Sequence, residues 1–257
     1  QKMNICEYND KLNIIKDTKI INNNIENINK CITTVNKIEY SNNNYVINNL
    51  CNKLKELDMF PALFFVFSRK QVEKIAKEIN IPLFEPGEKD YNISSVCKQL
   101  LVSKLTNWKE YILLPEYQLY VNLLEKGIGY HHAGMLPVFR EMIEMLYEKK
   151  YIKVLIATET FAVGINMPTK TVCFTSLFKH DGVSKRKLYS HEFIQMAGRA
   201  GRRNIDKIGN VILLTNLYEK ISENDYYNIL NSKSQYIKSK FKINYTLILY
   251  FLSSNKP

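Results

Sequence analysis

Apolar residues in the middle of the chain alternate between two spacings. Ala62–Phe67 is a short continuous apolar run, which indicates a strand buried on both faces. Ser68 to Gln71 follows with the Ser-x-x-Gln spacing of a capping box, which predicts a helix start at this point. The next apolar positions have the i, i+3, i+4, i+7 spacing of a helix: Val72, Ile75, Ala76 and Ile79. A buried strand followed by an amphipathic helix is the repeating unit of α/β proteins.

This unit recurs further along the chain. Pro137 is expected to open a second helix, whose inward positions are Phe139, Met142, Ile143 and Leu146. That helix leads into an apolar run at Ile152–Ala157, and two more runs follow at Lys170–Leu177 and Ile208–Leu214. The stretch between the first and second units, Tyr91–Lys126, is predicted to be helical. We therefore expect an α/β fold with a mostly parallel sheet and helices on both faces.

Composition divides the chain into three parts. The first 50 residues contain fourteen Asn, which limits the apolar surface they can bury, so residues 1–58 are expected to be partly mobile. The alternating pattern occupies residues 59–215 and predicts the main domain. Residues 216–257 are rich in Tyr, Lys and Ser and are expected to form a C-terminal extension.

Charge and cysteine content narrow the functional classes. A net charge of +11 suits a polyanionic partner, although frequent Lys in an Asn- and Ile-rich composition makes this only supporting evidence. The five cysteines are scattered without a Cys-x-x-Cys pair, which argues against a zinc site or a disulfide framework. Adjacent His131 and His132 project differently and have no third ligand nearby, so no metal site is predicted. The longest clean apolar run is far below the ~20 residues of a membrane span, so we expect an intracellular protein without membrane contact.

The segment from Gln195 to Arg203 is the strongest candidate for a functional site, because one glutamine and three arginines lie within nine residues. If Ser190 caps a helix that continues through the segment, then Gln195, Arg199 and Arg202 lie on one face. The opposite, packed face is then Phe193, Met196, Ala197 and Ala200. Guanidinium groups bind phosphate through planar, paired donors, so this face predicts a polyphosphate site. A solvated basic helix end is the alternative.

These residues resemble a known family. Gln195–Arg202 matches the Gln-x-x-Gly-Arg-x-Gly-Arg form of motif VI in superfamily 2 helicases. The segments Gly127–Pro137 and Ala157–Ala162, followed by Asn166-Met167-Pro168, resemble the Ski-like branch, which includes superkiller and exosome-associated RNA helicases. The resemblance covers residues 59–215 and implies the second RecA-like domain of such a protein. Residues 237–252 resemble, more loosely, the segment that leads into a winged-helix domain.

The resemblance implies a role for each matching position. It assigns Gln195, Arg199 and Arg202 to catalysis and to contact with the nucleotide, together with Gly164 and Asn166. The nucleic-acid contacts implied are Ser68, Arg69, His132, Gly134, Thr158, Glu159 and Thr160. Simpler explanations remain open: a turn for Gly164 and Asn166, a helix cap for Ser68, and a structural ion pair for the arginines. Thr158 can donate to a phosphate whereas Glu159 cannot, so Glu159 is expected to orient a neighbouring donor.

The sequence contains neither Gly-x-x-x-x-Gly-Lys-Ser/Thr nor an Asp-Glu box. The resemblance implies that a first RecA-like domain supplies both and holds most of the ATP and Mg²⁺, so this chain alone is expected not to hydrolyse ATP. The implied partners are RNA, that first domain, and exosome or superkiller-complex subunits, with a cytoplasmic location favoured over a nuclear one. The alternatives are a DNA-repair or spliceosomal helicase of the same superfamily and a non-catalytic nucleic-acid-binding scaffold.

Overall fold

The computed structural model describes residues 2–9, 13–18, 43–85, 87–88, 92–162, 169–202, 205–206, 208–214 and 222–231, with single positions at 245, 252 and 253. In these ranges the strands are β1 (Lys2–Asn9), β2 (Asn13–Thr18), β3 (Ala62–Phe65), β4 (Ile128–His131), β5 (Val154–Ala157), β6 (Thr171–Phe174), β7 (Phe178–His180), β8 (Lys185–Lys187) and β9 (Ile208–Leu214). The helices are α1 (Asn43–Glu56), α2 (Arg69–Glu78), α3 (Ile93–Lys104), α4 (Trp108–Ile112), α5 (Pro115–Glu125), α6 (Pro137–Glu148), α7 (Ser190–Ala197) and α8 (Glu223–Asn231), with a short 3-10 turn at Glu159–Ala162.

Seven strands form one sheet in the order β2-β1-β9-β6-β3-β5-β4, and β7 and β8 form a separate antiparallel hairpin. Every neighbouring pair from β1 to β4 in that order is parallel, and only β2 runs antiparallel to its neighbour. The carboxyl ends of the central strands are in register, because Phe65 pairs with Ala157 on one side and with Phe174 on the other. His131, the last residue of β4, also pairs with Ala157. The loops that follow these strands therefore begin at one common edge.

All four residues of β3, β4, β5 and β6 are buried. Because successive side chains of a strand point to opposite faces, this pattern means that the centre of the sheet is covered on both sides. The predicted α/β fold with a mostly parallel sheet is confirmed. The α6 positions expected to face inward, Phe139, Met142, Ile143 and Leu146, all lie in the hydrophobic core.

The packed core begins before the domain boundary expected at residue 59. Helix α1 lies within the Asn-rich segment, yet five of its side chains are fully or almost fully buried in the common core: Val46, Ile47, Leu50, Cys51 and Leu54. In addition, Asn48 donates to the Glu78 carbonyl at 3.0 Å and accepts from the Asn80 backbone N–H at 3.0 Å, so α1 is joined to the end of α2. The high asparagine content made this helix difficult to recognise in the sequence, because its apolar residues occupy one face only.

Two helix starts differ from the sequence-based expectation. Ser68 occupies the N-cap position of α2 but its side chain makes no capping bond, so the predicted Ser68–Gln71 capping box is absent from this helix start. Helix α7 begins at Ser190, with Tyr189 rather than Ser190 at the N-cap position. The Tyr189 backbone N–H donates to the Glu192 carboxylate at 2.9 Å. Glu192, three residues into the helix, therefore supplies the side-chain cap.

Candidate functional site

Three parallel strands deliver the predicted nucleic-acid contacts to the same edge of the sheet. Ser68 and Arg69 follow β3, His132 and Gly134 follow β4, and Thr158–Thr160 follows β5. β5 lies between the other two strands, so the three loops are neighbours. Ligands of open parallel sheets bind beyond the carboxyl ends of the strands, which is where these residues lie. The structure thus groups seven residues that lie between positions 68 and 160 of the sequence.

Arg69, His132 and Gly134 are in direct proximity. The Gly134 backbone N–H donates to Nδ1 of His132 at 3.1 Å, so Nδ1 is an acceptor and the ring proton lies on Nε2. That Nε2 is 3.1 Å from Oε1 of Glu73, a residue of α2. A Cβ on Gly134 would lie 3.4 Å from Cδ of Arg69 and 3.1 Å from His132 Nδ1, so the loop passes close to both side chains. His132 therefore shapes the loop and joins it to α2.

His131 and His132 face different partners. His131 Nε2 is 2.7 Å from Oε1 of Glu144 on α6, and the ring is almost completely buried against Phe161. Burial lowers the pKa of His131, and the neighbouring Glu144 opposes that shift only in part. Burial also lowers the pKa of His132, against the opposing effect of Glu73. Both rings are therefore neutral near pH 7 and serve as hydrogen-bonding elements of the loop.

The loop after β5 combines hydroxyl groups with one carboxylate. Thr158 is buried, and its Oγ1 lies 2.9 Å from Oγ1 of Thr160, which is exposed. Glu159 Oε1 is 3.3 Å from the Lys179 ammonium on β7. Glu159 thus contacts a donor, and its predicted role of orienting a donor toward a phosphate stays a prediction. Of the two threonines, Thr160 is the exposed residue.

A cavity of about 210 Å³ lies beside the start of α2. The exposed Ser68 lines one side, and Ser176, Phe178 and His180 line the other. Ser68 makes no side-chain capping bond, so capping of α2 does not explain its presence beside this cavity. The hairpin β7–β8 therefore forms part of the wall of a cavity that Ser68 also lines.

The arginine motif does not lie on one helix face. Helix α7 ends at Ala197 and Gly198 is its C-cap, so Gln195 is helical and exposed whereas Arg199 and Arg202 follow the helix. The prediction of a single Gln195, Arg199 and Arg202 ridge is wrong. The physical reason is a parallel backbone pairing: the Thr169 N–H donates to the Arg199 carbonyl at 2.9 Å, and the Gly201 N–H donates to the Thr169 carbonyl at 2.6 Å. Gly201 has φ +87°, a conformation that glycine adopts without strain.

The packed side of the motif is as expected, since Phe193, Met196, Ala197 and Ala200 are all buried. The two arginines have different contacts. Arg199 donates to the carbonyl of Ala162, at the end of the 3-10 turn. Arg202 donates through Nε and Nη2 to both oxygens of Asp206, at 2.7 and 2.9 Å. Arg202 also lines a cavity of about 350 Å³ together with Asp58, Pro61 and Ile152, which precede β3 and β5.

The remaining nucleotide-contact predictions, Gly164 and Asn166, lie outside the described residues. Within the described ranges no group of three or more His, Cys, Asp or Glu side chains is arranged to hold a metal ion.

Comparison with known proteins places this geometry in a family. Residues 92–204 match the family described as helicase conserved C-terminal domain. The antiviral helicase SKI2 of Saccharomyces cerevisiae is 39% identical over 204 residues, which are 79% of this chain and 16% of that protein. The human superkiller complex protein 2 is 38% identical over 205 residues, 79% of this chain and 16% of the relative. The human exosome RNA helicase MTR4 is 38% identical over 199 residues, 77% of this chain and 19% of the relative.

The chain belongs to the Ski-like helicases of superfamily 2. It carries their helicase C-terminal domain in a RecA-like α/β fold and spans less than a fifth of the length of these relatives. The nearly equal identities to the superkiller and exosome helicases do not separate these two types. No helix among the described residues is both long and apolar enough to cross a bilayer.

The structure of this Ski-like domain adds three residues to the candidate site that the sequence did not indicate. Glu73 holds His132, Asp206 holds Arg202, and Lys179 contacts Glu159. The spacing of Arg202 and Asp206, four positions apart, was a usable signal for an ion pair. The other two contacts join residues of different elements, so no local spacing indicates them.

Proposed function

We propose that this chain is the C-terminal motor domain of an ATP-dependent RNA helicase that unwinds RNA or moves along it. The observation that carries the proposal is the convergence of Arg69, Gly134 and Thr160 at the carboxyl edge of three adjacent strands. The Arg69 guanidinium and the hydroxyl of the exposed Thr160 are suitable donors for successive phosphates of a nucleic-acid backbone. The Gly134 N–H is already bonded to His132 and holds the loop beside Arg69. The relatives named as RNA helicases support RNA as the polymer.

In this proposal the arginine motif meets the nucleotide. Arg199 and Arg202 supply guanidinium groups that neutralise charge on the γ-phosphate, and the exposed Gln195 orients the attacking water. ATP and Mg²⁺ are held mainly by a first RecA-like domain, and Gly164 and Asn166 add contacts from this side. Arg202 is suited to bind a phosphate. Its guanidinium donates two hydrogen bonds to the Asp206 carboxylate, and a guanidinium binds two phosphate oxygens with the same geometry. A nucleotide must then compete with Asp206 or share the guanidinium with it.

The proposed partners follow from the relatives. Their names refer to a superkiller complex and to the exosome, so we propose that this domain works in an RNA-degradation assembly of that kind, in an intracellular and mainly cytoplasmic location. We also propose that this chain alone does not hydrolyse ATP, because most of the residues that bind the triphosphate belong to the first RecA-like domain.

The decisive experiment uses the full-length protein that carries this domain. Arg202→Ala should reduce RNA-stimulated ATP turnover by about 10³-fold or more, the usual effect of removing an arginine finger, while the Kd for single-stranded RNA changes less than about threefold. Arg140→Ala, which removes a partly buried arginine of α6 outside the arginine motif, is the matched control and should retain turnover. Unfolding curves of both variants check that Arg202→Ala remains folded. Turnover preserved in folded Arg202→Ala contradicts the catalytic role.

The polymer is tested with the same protein. RNA and DNA oligonucleotides of equal length and sequence should stimulate turnover unequally, with RNA the stronger. Equal or stronger stimulation by DNA would replace the RNA helicase with a DNA helicase of the same superfamily. RNA binding without any ATP turnover in the wild-type protein would support a scaffold.

A further inference from the structure

Lys179 lies between two carboxylates that belong to different parts of the candidate site. Its ammonium is 3.3 Å from Oε1 of Glu159, in the loop after β5, and 2.9 Å from Oε1 of Glu192, in the first turn of α7. The lysine side chain is only 15% exposed, so this bridge is partly shielded from water. One side chain thus connects the edge proposed to bind RNA with the helix that leads into the arginine motif.

The start of α7 has a second, independent attachment to the hairpin. Arg186 on β8 donates to both oxygens of Glu192 at 2.8 Å, and its guanidinium lies 4.0 Å from the centre of the Tyr189 ring. The Tyr189 backbone N–H also donates to Glu192. Helix α7 therefore keeps three contacts at its start when Lys179 is removed. Removal of Lys179 instead breaks the connection between Glu192 and Glu159.

Lys179 and Glu192 stay charged over the whole physiological range. Burial opposes ionisation of Glu192, but hydrogen bonds from Arg186, the Tyr189 N–H and Lys179 outweigh it and lower the Glu192 pKa to about 2. Burial also opposes the charge of Lys179, but the contacts with Glu192 and Glu159 are stronger and raise its pKa. The Lys179 ammonium has three donors, of which the two carboxylates use two, so it can also respond to a phosphate arriving beside Glu159.

We propose that Lys179 is a positioning residue that couples RNA binding at the carboxyl edge to ATP turnover by the arginine motif. This inference rests on the proposed helicase function. A phosphate near Thr160 repels the Glu159 carboxylate and attracts Lys179, and Lys179 transmits that displacement to Glu192 at the start of α7. Gln195 lies on the same helix, and Arg199 follows two residues after its end. The position of Lys179 thus makes the geometry of the motif depend on whether RNA is bound.

The test compares Lys179→Met with two matched variants in the full-length protein. Lys187→Met removes the same charge from the same hairpin, but Lys187 pairs with Asp225 of α8 and not with Glu159 or Glu192. Lys179→Arg keeps a cation that can bridge the two carboxylates. For each protein we would measure ATP turnover without RNA, turnover at saturating RNA, and the Kd for single-stranded RNA.

In Lys179→Met we expect stimulation by saturating RNA to fall about tenfold, in the range of allosteric couplings, and turnover without RNA to fall much less. The RNA Kd should rise as well, because the ammonium that attracts the phosphate is lost, and saturating RNA removes this effect from the comparison. Lys187→Met should match wild type and Lys179→Arg should recover most of the stimulation. Wild-type stimulation in Lys179→Met would overturn the inference, and so would an equal loss of turnover with and without RNA. If wild-type protein shows neither RNA binding nor turnover, it is the proposed function that fails.

Discussion

Asp206 holds Arg202 with three hydrogen bonds. Two come from the guanidinium, at 2.7 and 2.9 Å, and the third comes from the Arg202 backbone N–H at 2.8 Å. The hydrogen bonds from Arg202 lower the pKa of Asp206, and the hydrogen bond to Asp206 raises the pKa of Arg202. The guanidinium is therefore held in one orientation, and in the proposed function the same carboxylate competes with a phosphate for it. Asp206 thus contributes both to the stability of the domain and to the position of Arg202.

Asp206→Asn should lower the free energy of unfolding by about 1–3 kcal/mol, because charge-assisted hydrogen bonds to a largely buried side chain are replaced by weaker ones. Urea denaturation of the chain at pH 7 measures this loss. Asp58→Asn is the control: Asp58 pairs with Lys170 but its side chain is 94% exposed, so the change should stay below about 1 kcal/mol. Equal effects of the two substitutions would show that the Arg202–Asp206 pair adds no more than a surface contact.

Acidification should destabilise the domain through its two buried histidines. The folded-state pKa values of His131 and His132 are lowered mainly by burial, so the unfolded chain binds more protons as the pH falls. The two neutral histidines contribute fully to the free energy of unfolding above the ordinary histidine pKa of about 6.5. This contribution is lost as the pH falls below about 6.5 toward the pKa values of the folded state. We expect a smaller free energy of unfolding at pH 5 than at pH 7.5. Glu192, with a pKa of about 2, stays ionised across this interval.

His132→Gln should reduce this pH dependence, because an amide can accept from the Gly134 N–H and donate to Glu73 without titrating. The exposed His191, replaced in the same way, serves as the control and should leave the pH dependence unchanged. The measurement is the difference in unfolding free energy between the two pH values. An unaltered difference in His132→Gln would exclude His132 as a source of the pH dependence.

Gly209 should be far less tolerant of a side chain than Gly129. A Cβ on Gly209 would lie 2.5 Å from the Ala200 carbonyl carbon and 2.9 Å from the Gly201 nitrogen, and both are backbone atoms that cannot rotate away. A Cβ on Gly129 would meet flexible ends of side chains, the nearest being Ile152 Cδ1 at 2.8 Å. Overpacking lowers the free energy of unfolding by about 1–3 kcal/mol in general. The loss should therefore reach or exceed the upper end of this range in Gly209→Ala and lie near the lower end in Gly129→Ala.

Thermal and urea unfolding of the two alanine variants measure this contrast. Gly209→Ala should also displace the segment around Ala200, and with it Arg199 and Arg202. Similar losses in both variants would mean that the backbone near Ala200 adjusts easily, contrary to the tight parallel pairing with Thr169.

Arg69 should contribute one phosphate contact to RNA binding. When the logarithm of the RNA association constant is plotted against the logarithm of the salt concentration, each phosphate contacted on a single strand contributes about −0.7 to the slope. Arg69→Ala should therefore reduce the magnitude of the slope by about 0.7. It should also weaken binding to the same extent for all RNA sequences. Lys74→Ala, in the same helix α2, is the control, since Lys74 pairs with Glu78 within that helix. Fluorescence anisotropy with a labelled RNA over a salt series gives both slopes. An unchanged slope in Arg69→Ala would place Arg69 outside the phosphate contacts.

The sequence alone determined the local elements and the family. Strand β9 has the predicted bounds, α6 begins at Pro137, and β3 begins at Ala62 as expected, because continuous apolar runs and helical spacing are local properties of the chain. Motif spacing likewise identified the helicase domain. The alternation of strands and helices predicted a parallel sheet, and the loops after the strands of such a sheet lie at one edge, which is where the structure places Arg69, Gly134 and Thr160.

Only the tertiary structure decided which side chains meet across that edge. The helical spacing of Gln195, Arg199 and Arg202 was a valid local pattern, but the backbone of Thr169 pairs with residues 199–201 and ends the helix at Ala197. The Asn-rich composition concealed α1, whose apolar face is stabilised by packing and not by propensity. The bridge from Glu159 through Lys179 to Glu192 joins three separate elements. Such contacts depend on how the elements pack against each other. The spacing of residues within a single helix or strand therefore does not predict them.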